Sequence, residues 1–293
     1  VSTQRLSSLF LAASLGCSAS PTPPADPESQ RVLAFAFDAP VGGEAYQCSG
    51  FDASGVADKW IRGIAWTSDD SGGAVLHHAA LYAVPEVYAA GPVPCDAMPT
   101  SWTLHVWAPG GAPLALPAGV ALTLPPGTRS LVVQTHALRF SAGPPSKGSA
   151  SLDVTSTAPV HAAAWLPAFG SVPAIRPHMQ EHTATTCRAA APMHIFTAWP
   201  HMHLLGTAFE GAIVRADGTR TTMVDVPSWD FDEQHTYGVD MDVAAGDGIE
   251  TDCTWYNPTD EYVLPGTATT DEMCGDGLIV WPAAAAAWQG TCQ

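Results

Sequence analysis

The residues of this sequence with the most obvious chemistry are histidines, and a methionine joins them. His77 and His78 are adjacent, and His136 lies well downstream. His201 and His203 stand one residue apart in Trp199-Pro-His-Met-His-Leu-Leu-Gly206, and Met273 follows in Thr270-Asp-Glu-Met-Cys274. Imidazole nitrogen binds zinc, copper, iron and nickel, whereas a thioether is a soft donor that selects reduced copper over zinc or hard cations. Taken together, the residues point to two sites. One is nitrogen-rich, from His77, His78 and His136. The other is softer, with two nitrogens and a sulfur, from His201, His203 and Met273. Each pair also has a plainer reading. A lone methionine usually fills a core, and among eleven histidines a neighbouring pair can arise by chance.

These donors need particular elements to aim them. Adjacent residues on a regular strand point to opposite faces, so His77 and His78 can share an ion only at a strand end or a bulge. Residues i and i+2 share a face, which suits His201 and His203, and Pro200 between strand residues suits an edge. Short strands are expected at Val32–Phe37, Trp60–Thr67, His77–Val84, Trp102–Ala108, Val120–Leu124 and Ser130–Arg139. A second series is expected at His194–Trp199, Thr207–Arg215, Thr219–Val226, Tyr237–Val243, Glu250–Tyr256 and Leu278–Trp281. Asp69-Asp-Ser-Gly-Gly73 and Pro109-Gly-Gly-Ala-Pro113 separate strands, and Asp217-Gly218 signals a tight hairpin. The alanine run Ala283–Ala287 permits a short helix or a loop.

Composition narrows the class. The 293 residues include 26 Gly and 26 Pro, too many for long helices, and 46% are hydrophobic, enough for a substantial core. An all-β architecture follows, as two antiparallel β-sandwich domains with a boundary near Ala158: a leader and tether at 1–30, then 31–158 and 159–293. The net charge is −17 and only 11 residues are Lys or Arg, which excludes nucleic acid as a partner.

The N-terminus reads as an export leader: Arg5, a short apolar run from Leu6 to Leu15, then Gly16-Cys17 and a Pro/Ser tether to Ser29. The order is similar to a bacterial lipoprotein signal, in which Cys17 would be lipidated and give an N-terminal membrane anchor. Ordinary cleavage after Ser20 is the other route. Either places the chain in the periplasm, the cell envelope or the medium. Setting Cys17 aside leaves Cys48, Cys95, Cys187, Cys253, Cys274 and Cys292. Their even number and wide spacings fit disulfides, and sequence alone leaves the pairing open.

From Arg31 to Cys292 the chain resembles the copper type II, ascorbate-dependent monooxygenases. The resemblance rests on an ordered set of motifs: Tyr46-Gln-Cys48, Val75-Leu-His-His78, Trp107-Ala-Pro109, Leu116-Pro-Ala-Gly-Val120, Leu131-Val-Val-Gln-Thr-His136, Pro192-Met-His-Ile-Phe196, His201-Met-His-Leu-Leu-Gly206, Cys253-Thr254 and Asp271-Glu-Met-Cys274. It implies two β-sandwich, jelly-roll-like domains flanking a solvent-filled cleft, and two copper ions per chain. His77, His78 and His136 would hold the electron-transfer copper, and His201, His203 and Met273 the oxygen-binding copper. Ascorbate would be the reductant, O2 the oxidant, and a small organic or peptide-like molecule the substrate hydroxylated at a C–H bond. The resemblance further implies disulfides Cys48–Cys95, Cys187–Cys292 and Cys253–Cys274. It places Gln134 on a route between the coppers, Tyr46 beside the first, and His194 outside both ligand sets. For Asp271 and Glu272 a solvated or supporting role is expected.

The chain departs from the peptide-amidating branch where that branch binds substrate. An arginine stands there two residues before the His-x-His pair, and an asparagine and a tyrosine follow the Met-Cys pair. Here those positions are Trp199, Gly275 and Gly277, which argues against a peptide carboxylate as the anchored group and suggests an apolar or aromatic wall. Two further readings stand beside the hydroxylase: an exported copper-buffering lipoprotein without turnover, and a sandwich whose histidines only satisfy its core.

Overall fold

In the computed structural model the described residues are 29–95 and 102–287. The leader with Cys17, and Cys292, lie outside them. The first half carries β1 (Ser29–Phe37), β2 (Glu44–Asp52), β3 (Trp60–Asp69), β4 (Ala74–Val84), β5 (Val93–Pro94), β6 (Trp102–Trp107), β7 (Leu114–Ala115), β8 (Val120–Thr123), β9 (Ser130–Arg139) and β10 (Ser146–Thr155). The second half carries β11 (His161–Phe169), β12 (Gln180–Arg188), β13 (Met193–Met202), β14 (Gly206–Val214), β15 (Arg220–Val226), β16 (Tyr237–Val243), β17 (Gly248–Tyr256) and β18 (Cys274–Trp281). A 3-10 helix at Ala283–Ala287 takes up the alanine run.

The chain is all-β, as its glycine and proline content requires. In the first half, β5-β2-β9-β4-β6 faces the β1-β10-β3-β8 part of a long sheet; in the second, β12-β17-β14-β15 faces the β11-β18-β13-β16 part. Among the described residues these two long-sheet segments are one continuous sheet. They join where β8 and β11 run parallel, pairing Val120 to Leu122 with His161 to Ala163. The other ladders are antiparallel. Strand alternation puts Leu33, Phe37, Leu81, Leu104, Leu131 and Val133 into the first core, and Leu166, Phe209, Ile213, Trp255 and Leu278 into the second. Trp165, Trp199 and Ile279 of the second half pack into the first core. Each such apolar side chain is worth roughly 1.5–3 kcal/mol on burial, so the halves are held together beside the site.

Local chemistry explains the turns. Gly218 takes φ of 86° in the β14–β15 hairpin, where Arg215 and Thr219 close the loop and Asp217 Oδ1 accepts from the Thr219 N–H at 2.8 Å. Cys48–Cys95 ties β2 to the chain just after β5, and Cys253–Cys274 ties β17 to β18. Cys187 is disulfide-bonded too. Disulfides fit an oxidising compartment. No helix among the described residues is long and apolar enough to cross a membrane.

Candidate metal centre

The first histidine set is assembled by a register defect. The β4–β9 pairing shifts between Leu76 and His78, a bulge that leaves His77 as the extra residue and places His78 opposite His136. This is the re-aiming that two adjacent histidines need. The three candidate ligand atoms lie within 4.8 Å of one another. His77 Nδ1 is 3.1 Å from His78 Nδ1, and His136 Nδ1 is 3.4 Å from the same atom. Such spacings are those of nitrogens that share one ion at bond lengths of about 2 Å.

Tautomers follow from the outer contacts. His136 donates from Nε2 to Glu44 Oε2 at 2.8 Å, and a carboxylate can only accept there. Its Nδ1 is therefore the unprotonated atom that faces His78. Burial lowers the pKa of His77 to about 3, of His78 well below its ordinary value, and of His136 as well, so the imidazoles are neutral and ready to coordinate. Glu44 stays ionised. Burial pushes its carboxyl up, but hydrogen bonds from Thr269 and His136 outweigh that and hold it below the usual range. The Tyr46 ring stacks on His136 with centroids 4.1 Å apart, and its hydroxyl donates to the Thr267 carbonyl at 2.6 Å. Packing is the role seen for Tyr46.

The second set hangs on the end of β13. His201 Nδ1 donates to Gln234 Oε1 at 2.8 Å, and His203 Nδ1 donates to the Asp271 carbonyl at 3.0 Å. Both rings thus keep Nε2 as the free lone pair, whereas the first set presents Nδ1. Burial pushes His201 down to about 3 and lowers His203. Met273, half-buried, shares with His201 and His203 the lining of one cavity of about 320 Å³. The adjacent Cys253–Cys274 disulfide fixes the backbone there.

Glu272 is the clamp of this second site. Fully buried, it accepts from the backbone N–H of His203 at 3.0 Å and of Leu205 at 2.6 Å, and from Trp255 Nε1 at 3.0 Å. Desolvation raises its pKa to about 7 against those donors. The carboxylate so binds the residue before Met273 to the turn that carries His203. Of the two acidic residues expected to be supporting or solvated, Glu272 supports the site through its side chain and Asp271 through its backbone carbonyl.

The cavity lies between the halves, and His78 of the first set borders it together with the second set. His78, Tyr46, Tyr82 and Gln134 line it from the first half; Trp199, Phe169, His201, His203 and Met273 line it from the second. His78 and His201 meet edge to face with centroids 6.2 Å apart, and Phe231 stacks on His77 at 4.2 Å. Gln134 shares the cavity, with its amide oxygen accepting from the Tyr82 hydroxyl and its Nε2 donating to the Cys95 carbonyl, both at 3.2 Å. Trp199 stacks on His201 at 4.8 Å and forms part of the wall. His194 lies apart, between Asp240 and Asp242.

Comparison with known families bears on the second half. Residues 166–291 match the family described as copper type II ascorbate-dependent monooxygenase, C-terminal domain. The likeness to that family covers the second half of the chain. The match spans His201, His203 and Met273, but not His77, His78 and His136. No curated protein matches the chain by sequence.

Sequence reasoning missed Glu44, Gln234 and Phe231. Glu44 sits 92 residues from the ring it orients, and Gln234 and Phe231 lie in a loop between β15 and β16 without periodicity. No local pattern marks any of them.

Proposed function

We propose that the chain is a dicopper monooxygenase that hydroxylates a C–H bond of a small organic or peptide-like substrate, with O2 as oxidant and ascorbate as reductant. The observation that carries this reading is that His78, one of three clustered histidines of the first half, lines the same cavity as His201, His203 and Met273 of the second. His77, His78 and His136 would hold the electron-transfer copper through Nδ1. His201, His203 and Met273 would hold the oxygen-binding copper through two Nε2 atoms and the thioether. Copper at the two sites supplies the one-electron steps through which dioxygen is activated. The chain's own residues do the rest. Glu44, Gln234 and the Asp271 carbonyl fix the imidazole tautomers, Glu272 holds the second ligand set in place, and the cavity wall excludes water and positions the substrate. Gln134 lines the cavity, held by Tyr82 and the Cys95 carbonyl, and would take part in the route between the coppers. Export, by a leader that ends at a lipidated Cys17 or by ordinary cleavage, completes the proposal, and the disulfides support it.

Oxygen uptake by the copper-loaded protein with ascorbate tests it. A monooxygenase consumes oxygen in proportion to hydroxylated product, and Met273→Ile stops this while copper stays at the first site. A copper buffer binds the metal with no substrate-dependent uptake.

A further inference from the structure

A file of aromatic rings leads away from the cavity, from His201 to the surface of the first half. Trp199 of β13 stacks on His201 at 4.8 Å, with ring planes 13° apart. Trp165 of β11 follows Trp199 at 6.2 Å, and His105 of β6 follows Trp165 at 6.3 Å. Trp66 of β3 lies 6.4 Å from His105 and donates its indole N–H to His105 Nδ1 at 3.0 Å. Trp107, two residues beyond His105 on β6, lies 6.4 Å from Trp66 with planes 21° apart. Each step is within the range over which aromatic rings are in contact. Trp199, Trp165, His105 and Trp66 are buried. Trp107 is half-buried and ends the file at the loop 109–113, where its Nε1 donates to the Gly111 carbonyl at 3.1 Å.

Packing alone does not account for these residue types. Among the described residues, Trp199 Nε1 and His105 Nε2 are buried without a hydrogen-bond partner, a cost that phenylalanine or leucine would avoid. Gly277 clears the space between two of the rings. It lies opposite Trp199 in the β13–β18 ladder, and a Cβ there would run into the Trp165 ring. What indole has and phenyl lacks is ease of oxidation. Of the aromatic side chains, indole gives up one electron most readily without first losing a proton. Trp199, whose N–H has no acceptor, would keep its proton when oxidised and pass the deficit on. His105 is neutral, because burial lowers its pKa to about 3, and an imidazole in that state bridges Trp165 and Trp66 without being oxidised itself.

We infer that Trp199, Trp165, Trp66 and Trp107, bridged by His105, form an electron path from the surface to the second ligand set, and that the path quenches oxidising equivalents left there when no substrate is bound. The inference rests on the reading of His201, His203 and Met273 as copper ligands. An electron leaves Trp199 for the oxidised site. Trp165 refills Trp199, Trp66 refills Trp165 across His105, and Trp107 refills Trp66. Trp107 then gives its indole proton to water and takes a hydrogen atom from ascorbate, which leaves as its one-electron-oxidised radical. Each passage delivers one electron inward and one proton to solvent, and every ring returns to its starting state.

Hydrogen peroxide, added in excess to the copper(I)-loaded protein without substrate or ascorbate, tests the path. Each peroxide takes two electrons and two protons to give two waters. Excess peroxide exhausts the electrons of copper(I), so the rest come from side chains whether or not the protein activates O2. Electron paramagnetic resonance and peptide mass mapping locate the oxidised residues. A tryptophan radical and oxygenated product are expected at Trp107, above the level in copper-free protein. Trp165→Phe should return Trp107 to that level and move the product to Trp199 and His201. Trp107→Phe, a change at a half-buried ring, should halt oxidation at Trp66. Oxidation confined to Trp199 and His201 in the wild type, Trp107 oxidised equally in Trp165→Phe, or no oxidation above the copper-free level overturns the inference. The same protein is then given ascorbate, O2 and a panel of small peptides and benzylic compounds. The expected peroxide pattern with no hydroxylated product would leave the path standing and sink the oxygenase reading. Hydroxylation by a protein whose Trp107 peroxide never reaches would do the reverse.

Discussion

A single oxygen of Glu44 accepts the Nε2 proton of His136 at 2.8 Å and the hydroxyl proton of Thr269 at 2.5 Å. His136 belongs to the first ligand set. Thr269 belongs to the segment that leads into Met273. One carboxylate therefore sets a tautomer at one site and ties down the approach to the other. Loss of a carboxylate behind a ligating histidine typically costs 10–100-fold in metal affinity. We expect Glu44→Gln to weaken copper at the first site by about that factor, measured by competition with a chelator of known affinity. An unchanged affinity would show that the charge of Glu44 does not strengthen His136 as a ligand.

Glu272 holds three buried N–H donors. Glu272→Leu strands all three, and a buried donor left unpaired costs roughly 1–3 kcal/mol. A loss of roughly 3 kcal/mol or more in urea denaturation is expected, together with impaired copper binding at the second site. A loss below about 1 kcal/mol would contradict the clamp.

Asp276 lies fully buried on β18, with neither carboxylate oxygen in a well-formed hydrogen bond. Burial raises its pKa from 3.8 to about 7, although the Trp199 backbone favours the charged form. In the unfolded chain the proton leaves near pH 4; in the folded chain it is kept to near 7. Between these values the unfolded state binds fewer protons, so stability falls as pH rises, by at most about 1.4 kcal/mol per pH unit, and levels off above. Asp276→Asn removes this slope. Its stability relative to wild type should rise from pH 4.5 to 7.5 in paired urea titrations. A constant gap would mean that Asp276 does not titrate as described.

Gly275 lies opposite Phe169 in the β11–β18 ladder, and a Cβ there would run into the Phe169 ring. This close approach is testable through packing. Gly275→Asn places a side chain where the ring lies, and overpacking of this kind costs roughly 1–3 kcal/mol. Phe169→Ala makes room, so the double variant should recover part of that loss, a coupling visible in a double-mutant cycle. Strict additivity would show that the two do not touch.

Much of this fold can be read along the chain. Ser130–Arg139 and Tyr237–Val243 are strands over the ranges their apolar spacing predicts, and the bulge at His77 follows from the need for two neighbouring rings to face one point. The strands that escape notice have physical reasons. β12, Gln180–Arg188, is a polar edge strand, and β10, Ser146–Thr155, is built largely of small and polar residues. Neither shows strong alternation. The parallel β8–β11 junction is three residue pairs long, too short to leave a pattern. At the site, the ligands are visible because histidine and methionine are rare chemical types. Glu44, Gln234 and Phe231 are not, because what brings them there is contact between segments far apart in the chain.

The central claim is that two separate ligand sets, one of them completed by Met273, each hold copper. Metal analysis combined with X-ray absorption on the ascorbate-reduced protein tests it most directly. We expect two coppers per chain and a sulfur scatterer, with Met273→Ile losing the sulfur signal while copper remains at the His77/His78/His136 site. One copper per chain, or a sulfur signal that survives Met273→Ile, would contradict the account.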